Sequence, residues 1–207
     1  MKKICQLNKI ENVSNPFYKG FYVTDELVNM GFKYVGENVK VAKNCTIVGL
    51  KNISIRSNVQ IDENVFIGAN KGFLDIGNHV HIGGACHLSC SGGITLADFC
   101  GLSQGVKVYS MSDDYTGYSM TNVTVPERYK VLKISPVILG AHVLIGSGSV
   151  VLPGVTIGIG SAVGALSLVT MSLEEWGIYF GAPAKKIKMR SKKILALEKR
   201  FLQEERK

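Results

Sequence analysis

Residues 139–158 read LGAHVLIGSGSVVLPGVTIG, and an aliphatic side chain recurs in them at every sixth position. These positions are Leu139, Ile145, Val151 and Ile157, and several of them are followed directly by glycine. A six-residue period matches neither the 3.6-residue period of an α-helix nor the two-residue alternation of a half-buried strand. It is the period of a triangular solenoid, in which each hexad supplies one short strand with an inward aliphatic side chain and one corner.

The hexads belong to a repeat of about 20 residues that runs through most of the chain. Its units begin at Val35, Ile55, Ile76, Leu96, Leu139 and Ile159. One coil cannot bury its inward face alone, so stacked coils must form the core. The sequence therefore predicts an all-β solenoid over residues 35–170, an N-terminal segment over 1–34 and a C-terminal extension over 171–207. An ordinary β-sandwich is the alternative, which six aligned units disfavour.

Two segments interrupt or follow the repeat. Leu96 and Leu139 are 43 residues apart, 23 more than one repeat, which predicts an inserted loop over residues 109–136. A long loop without its own periodicity is usually functional or disordered, and its aromatic and acidic residues favour function. Ile194, Leu197 and Phe201 lie at helical spacing and predict a docked C-terminal α-helix over 191–206. A short helix over residues 25–30 is also expected.

Composition narrows the class of protein. The chain has 207 residues, 46% hydrophobic and 19% charged, which is enough apolar material for a core and argues against general disorder. Neither a membrane span nor a secretory signal is expected. Five cysteines without a CxxC pair indicate reduced thiols and a cytoplasmic protein. The net charge is +8, and six of the nine residues 185–193 are basic, a local cluster that suits a compact polyanion as well as a nucleic acid.

The hexads, the inserted loop and three motifs together resemble the hexapeptide-repeat acyltransferases. The motifs are Leu139–Gly148, Val151–Gly158 and Gly181–Lys185. The resemblance implies a left-handed parallel β-helix that works as a homotrimer, with active sites between subunits and coenzyme A as the acyl carrier. Further similarity, in Gly92–Ile94, Asp98–Phe99, Leu102–Ser103 and Ser112–Gly117, is to the subgroup that acts on sugars, which includes N-acyltransferases of nucleotide-linked amino-deoxy sugars and O-acetyltransferases of surface polysaccharides.

One feature of the inserted loop separates these activities. Galactoside and maltose acetyltransferases carry a catalytic histidine in their extended loop, whereas residues 109–136 contain no histidine. A hydroxyl needs a general base more than a free amine does, so this absence favours N-acylation.

The resemblance also suggests catalytic residues. Asp113 is expected to hold the substrate amine and accept its proton, although Ser-Asp-Asp is also ordinary turn chemistry. Ser103 is expected to donate a hydrogen bond to the amine, the oxyanion or coenzyme A, and His81 to act as a base or substrate contact. For Asp98, a catalytic role and a corner residue that bonds the backbone are equally supported. The expected substrate-binding residues are Asp114, Tyr115 and Tyr109.

Coenzyme A is expected to lie along the later coils, where small residues allow close approach to the backbone. The predicted contacts are Gly146, Ser147, Ala165, Ser167 and Pro183, with Lys185, Lys186 and Arg190 meeting the phosphates. A solvated basic tail is the alternative for these last three residues.

The sequence thus predicts a cytoplasmic, homotrimeric acetyltransferase that moves an acetyl group from acetyl-CoA to the amine of a nucleotide-linked amino-deoxy sugar. Its product would enter a surface glycan, as in lipopolysaccharide (O-antigen type) biosynthesis. Acetylation of a sugar hydroxyl is the main alternative. A zinc carbonic anhydrase is a further alternative, but this chain lacks the histidine pair that such an enzyme should carry on a later coil. A non-catalytic scaffold is disfavoured by the specific loop and tail motifs. Neither a metal nor a nucleic-acid partner is expected.

Overall fold

Each coil of about 20 residues contributes one short strand to each of three sheets, in a computed structural model that describes residues 15–205. We call the sheets the first, second and third face, in the order in which one coil visits them. Strands of successive coils pair in parallel on every face. The predicted parallel β-solenoid with an inserted loop and a C-terminal helix is therefore confirmed.

The strands are short because a corner follows within six residues. The parallel strands of the first face are Val39–Ala42, Val59–Ile61, His81–Ile82, Gly101–Leu102, Leu144–Ile145, Ala162–Val163 and Gly177–Phe180. Those of the second face are Thr46–Val48, Phe66–Gly68, His87–Ser89, Lys107–Tyr109, Val150–Val151 and Leu168–Val169. Those of the third face are Tyr34–Val35, Ile53–Ile55, Leu74–Ile76, Ile94–Leu96, Val137–Leu139 and Thr156–Ile157.

The register of the strands stacks equivalent residues of the repeat. On the third face Leu96 pairs with Ile76 on one side and with Leu139 on the other, although Leu139 is 43 residues away. All three side chains are at most 2% exposed. Burying a side chain of this size stabilises a fold by about 1.5–3 kcal/mol, so the inward columns supply most of the stability.

Three cysteines add to this core, and we call them the buried thiols: Cys86, Cys90 and Cys100. Burial raises the pKa of the Cys86 thiol to about 11 and those of the other two to about 12. At neutral pH they are therefore protonated and serve as small hydrophobic side chains.

Corners of successive coils form three edges. The first edge joins the first and second faces and carries Asp62, Gly83, Ser103 and Gly146 at equivalent positions, linked by backbone hydrogen bonds such as Ser103 N to Ile145 O at 2.9 Å. The second edge joins the second and third faces, and the inserted loop leaves the solenoid there. On the third edge, between the third and first faces, successive coils place non-glycine residues at positive φ, among them Asn58, His79, Phe99 and His142.

The inserted loop leaves and returns through a two-stranded neck. Met111–Ser112 pairs antiparallel with Lys133–Ile134, inside the predicted limits of residues 109–136. A short 3₁₀ turn, Glu127–Tyr129, lies within the loop, and another, Leu50–Asn52, lies on the second edge of an earlier coil.

Antiparallel strands border both ends of the first face. Phe21–Val23 pairs with Val39–Ala42, and Lys185–Met189 pairs with Gly177–Phe180. Gly177–Phe180 itself pairs in parallel with Ala162–Val163, so the parallel strands of the first face continue past residue 170, the predicted end of the solenoid. Two α-helices complete the described chain, α1 (Thr24–Leu27) and α2 (Lys193–Glu204). Residues 1–14 of the predicted N-terminal segment and 206–207 of the extension lie outside the described residues. Within the described part, neither helix is long and apolar enough to cross a membrane.

Helix α2 packs on the third edge over a stack of three rings, which we call the third-edge stack: His79, Phe99 and His142. The phenyl ring lies between the imidazoles, with centroids 4.8 and 4.9 Å away. Glu198 of α2 lies 3.0 Å from His142 Nε2. His142 is only 5% exposed beneath α2.

Candidate active site

The first edge brings Ser103 together with most of the predicted coenzyme A contacts. Gly146 follows Ser103 on the next coil, and the exposed Ser147 donates to Gln104 Oε1 at 3.5 Å. On later coils Ala165 is exposed on the same edge. The Ala184 backbone N–H donates to Leu168 O at 2.8 Å, which holds the exposed turn containing Pro183 and the start of the Lys185 strand beside this edge.

Two glycines near Ser103, Gly83 and Gly101, differ in how tightly the next coil packs on them. A Cβ atom on Gly83 would lie 2.9 Å from both Leu102 O and Gln104 N, so no larger residue fits that corner without moving the next coil. On Gly101 a Cβ atom would meet only the flexible end of Leu144, at 3.2 Å. The outer side of the first face is therefore open at Gly101. Within the described residues the Ser103 hydroxyl has no hydrogen-bond partner, so it is available to a ligand.

His81 lies beside Gly101 on the first face. It pairs with Gly101 of the next coil, as its position in the repeat predicts, and its side chain is 52% exposed. Its Nε2 lies 2.8 Å from Asp62 Oδ2, and Gln60 Nε2 donates to Asp62 Oδ1 at 2.8 Å. Sequence reasoning missed Asp62. Aligning the coils pairs His81 with Gln60, so Asp62 lies two residues further along the neighbouring coil and reaches His81 diagonally.

The second edge carries the predicted substrate-binding residues of the loop. Asp113, Asp114 and Tyr115 line a cleft of about 780 Å³ whose opposite wall includes Leu152 and Pro153. The Asp113 side chain is exposed and has no hydrogen-bond partner among residues 15–205. It is therefore free to bind a cation such as a substrate ammonium.

Asp114 has a different environment. Thr116 donates to Oδ1 from its hydroxyl at 2.5 Å and from its backbone N–H at 2.8 Å, and Ser119 donates twice to Oδ2. The Thr116 hydroxyl, followed by the Thr116 and Ser119 backbone donors, lowers the pKa of Asp114 to about 2. This carboxylate organises the loop, and it also lines the cleft beside Asp113.

Tyr109 ends the second-face strand that leads into the loop. Its ring lies 5.5 Å from that of His87, which stacks on Phe66 at 4.5 Å. Burial, and then the nearby Lys107, lower the pKa of His87, which favours a neutral imidazole in this aromatic group. Tyr109 therefore stands at the entrance of the loop, beside a ring surface on the second face.

Three predicted site residues make hydrogen bonds to backbone groups of neighbouring turns. Asp98 lies on the third edge, where Oδ1 accepts the Asn78 backbone N–H at 2.7 Å, which supports the alternative of a corner residue that bonds the backbone. Arg190 also lies at the third edge, where its guanidinium donates to His142 O at 2.7 Å. Ser167 is 2% exposed and its hydroxyl accepts the Gly181 N–H at 3.1 Å, which removes it as a coenzyme A contact.

Lys186 remains on the surface, but it is paired. Its Nζ lies 2.8 Å from Glu174 Oε2, and this carboxylate raises the pKa of Lys186. Glu174 is largely exposed and Lys186 is partly exposed, so the pair is weak and a phosphate can compete for the ammonium.

One chain does not bring Ser103 and Asp113 together. Ser103 lies on the first edge and Asp113 on the second, with the second-face strand Lys107–Tyr109 between them. Among the described residues, no group of three or more histidine, cysteine, aspartate or glutamate side chains is arranged to hold a metal ion.

Comparison of the sequence and the structure with known proteins finds acyltransferases that match most of the chain. No family model matches the chain. It is 42% identical over 176 residues to a dTDP-4-amino-4,6-dideoxy-D-glucose acyltransferase from Escherichia coli, covering 85% of this chain and 92% of that protein. The crystal structure of an N-acyltransferase from Bacillus cereus in complex with dTDP and 3-hydroxybutyryl-CoA is 40% identical, with a TM-score of 0.87, and covers 91% of this chain and 100% of that one.

Variants of the Bacillus cereus protein have also been solved. One serine variant, in complex with dTDP-4-amino-4,6-dideoxyglucose and coenzyme A, is 39% identical to this chain, has a TM-score of 0.84 and covers 90% of this chain and 98% of that one. Other variants replace an aspartate ten residues after that serine. In this chain only Ser103 and Asp113 form a serine–aspartate pair with that separation.

Proposed function

The chain belongs to the hexapeptide-repeat acyltransferases, alongside the dTDP-4-amino-4,6-dideoxy-D-glucose acyltransferases, and on that premise we propose that it acylates the amine of a dTDP-linked amino-deoxy sugar. It is an enzyme, and the acyl donor is a coenzyme A thioester. We propose acetyl as the acyl group. The product would be built into a surface glycan of the lipopolysaccharide type, and we propose that the enzyme is cytoplasmic.

The observation that carries this proposal is the pair formed by Ser103 and Asp113. Both residues have side chains without partners among residues 15–205, and their separation of ten residues matches that of the serine and aspartate varied in the Bacillus cereus relative. A partner-free carboxylate suits an ammonium group, and a partner-free hydroxyl suits a donor to the reacting carbonyl or amine.

The chemistry follows from these two groups. The Asp113 carboxylate binds the sugar ammonium and accepts one proton, which leaves a neutral and nucleophilic amine. The amine attacks the thioester carbonyl, the C–N bond forms, and the C–S bond breaks with release of the thiol. Ser103 donates a hydrogen bond at the point where negative charge develops on the carbonyl oxygen.

Coenzyme A would lie along the first edge of the later coils. Ser147 and Ala165 are small and exposed there, which allows an extended pantetheine arm to approach the backbone. Gly146 belongs to the same corner, and the exposed Pro183 turn ends the groove. The exposed ammonium of Lys185, with that of Lys186, would meet the phosphates.

We propose a homotrimer in which the site is shared. Because the second face separates Ser103 from Asp113 in one chain, the loop of a neighbouring subunit would deliver Asp113 to the first edge. Mixing chains that carry Ser103→Ala with chains that carry Asp113→Asn tests this arrangement. A shared site regains activity in mixed assemblies, since some sites then contain both intact residues, whereas a site within one chain regains none.

Acetylation of a sugar hydroxyl is the second candidate. The pairing of His81 with Asp62 at 2.8 Å favours it, because a hydroxyl nucleophile needs a base of this kind. The two candidates differ in what they acylate, and the closing experiment of the Discussion separates them.

Kinetics of loop variants test the role of Asp113. With dTDP-4-amino-4,6-dideoxyglucose and acetyl-CoA, Asp113→Asn should lower kcat by about 10²–10⁴-fold, the usual effect of losing a catalytic base. Glu127→Gln is the matched control: it removes one carboxylate from the same loop, where Glu127 forms an exposed ion pair with Lys71. Equal rates in both variants would contradict the assignment.

A further inference from the structure

One leucine stands beside the glycines that surround Ser103 on the first face. The positions equivalent to Ser103 on the two neighbouring coils are Gly83 and Gly146, and the residue two positions earlier in the same coil is Gly101, so these three positions present no side chain. Leu144 of the next coil pairs with Gly101. We propose that Leu144 limits the length of the acyl group, so that acetyl is accepted and a four-carbon acyl group is rejected. This inference rests on the proposed function and gives a reason for the choice of acetyl.

The Leu144 side chain leans over Gly101. A Cβ atom on Gly101 would lie 3.2 Å from Leu144 Cδ1, so the isobutyl group lies against the glycine instead of extending straight into solvent. The side chain is still 45% exposed, which leaves almost half of it open to a ligand. From the preceding coil, His81 pairs with Gly101 on the opposite side. Gly101 is therefore the floor of a short channel with an aliphatic wall and an imidazole wall.

The proposed path of coenzyme A directs the acyl group into this channel. The pantetheine arm lies along the first edge of the later coils, and the thioester carbonyl accepts a hydrogen bond from Ser103. The alkyl end of the acyl group and the sulfur are on opposite sides of the carbonyl carbon, so the alkyl end points away from the pantetheine arm. It then runs from Ser103 back toward Gly101, where the methyl of an acetyl group meets Leu144.

A longer acyl group must share the channel with the isobutyl group of Leu144. The transfer is the same for any acyl length: the C–N bond forms and the C–S bond breaks, and of the two protons that the ammonium loses, one ends on the thiol and one in water. A butyryl group has two more methylenes than acetyl, and one methylene in an apolar pocket changes kcat/KM by about 10–200-fold. Leu144→Ala removes three carbon atoms from the wall, which makes room for those methylenes.

A competition between two acyl donors tests this inference. The enzyme receives dTDP-4-amino-4,6-dideoxyglucose with equal amounts of acetyl-CoA and butyryl-CoA, and mass spectrometry gives the ratio of the two amide products. This ratio compares kcat/KM for the two donors and does not depend on how much of a variant is folded. The wild type should give the acetyl product in an excess of about 100-fold or more, and Leu144→Ala should reduce this excess by at least about 10-fold.

Two further variants complete the experiment. Ile138→Ala is the matched control, because Ile138 is 42% exposed in the same coil but lies on the third face, away from Ser103. It should leave the product ratio within about twofold of the wild-type ratio. In the Leu144→Ala background, Gly101→Ala returns a methyl group to the channel and should restore part of the preference for acetyl.

The outcomes separate this inference from the function on which it rests. An unchanged product ratio in Leu144→Ala, or a wild type that transfers butyryl at least as readily as acetyl, would overturn the role of Leu144 alone. An equal change of the ratio in Ile138→Ala would do the same, since the effect would then not be local to the channel. A wild type that acylates the amino sugar from neither donor would overturn the proposed function and this role with it.

Discussion

Two glycines on neighbouring coils of the first face should respond in opposite ways to the same added methyl group. Neither has a positive φ, so backbone strain does not distinguish Gly83 from Gly101. A Cβ on Gly83 would lie 2.9 Å from Leu102 O and 3.1 Å from Ser103 C, both backbone atoms of the next coil. A Cβ on Gly101 would meet only the end of the Leu144 side chain, which can rotate away.

The expected free energies of unfolding follow from these contacts. Gly83→Ala must push the next coil outward, and overpacking of this kind costs about 1–3 kcal/mol. For a chain of 150–250 residues this lowers Tm by about 2–12 °C. Gly101→Ala should stay within about 1 kcal/mol of the wild type and can even stabilise it, because alanine restricts the unfolded chain.

Thermal unfolding of the two variants at one protein concentration measures the difference. Since Gly83→Ala also displaces Ser103, its acyl-transfer rate should fall with its stability. Equal Tm values in the two variants would refute the idea that coil stacking at the first edge is tight enough to require glycine at residue 83.

Three further predictions concern the loop, the core and helix α2. The pKa of Asp114 in the folded protein, about 2, lies below its ordinary value, so Asp114 should organise the loop above about pH 4 and lose this effect as the pH falls toward 2. The NMR signals of the Thr116 and Ser119 amides should then shift with a midpoint near pH 2. A midpoint near pH 4 would contradict the hydrogen bonds to Asp114. The buried thiols should resist iodoacetamide at pH 7.5 and react in denaturant, as mass spectrometry of the peptides would show; rapid labelling of the folded protein would disprove their burial. Glu198→Ala should leave the buried imidazole of His142 unpaired, at a cost of about 1–3 kcal/mol, and speed hydrogen exchange in α2, whereas unchanged protection would show that the contact does not hold the helix.

The solenoid could be predicted because its signal is repeated along the chain. Each coil places an aliphatic residue at the same six-residue steps, so six weak local patterns reinforce one another. Leu96 and Leu139 stack although the loop separates them, because the interval is one repeat plus an insertion. Helix α2 was predicted for a similar reason, since its apolar stripe has the helical period.

Individual corner residues could not be predicted in the same way. Asp98 and Ser167 carry side chains typical of active sites, yet their hydrogen bonds go to backbone N–H groups of adjacent turns. Periodicity tells which edge a residue occupies, but not whether its polar atoms are already used. Arg190 shows a further limit, because the path of the chain after the last coil carries it to the third edge, far along the sequence from the carbonyl groups that it binds.

The most direct test of the central claim is a competition between two acceptors in one reaction. Wild-type enzyme receives acetyl-CoA with equal amounts of dTDP-4-amino-4,6-dideoxyglucose and the same nucleotide sugar with a hydroxyl at carbon 4, and high-resolution mass spectrometry follows both. We predict that one acetyl group is added to the amino sugar and none to the hydroxyl sugar, with one free thiol released per product. Acetylation of the hydroxyl sugar in preference to the amine would contradict the account and establish the enzyme as an O-acetyltransferase.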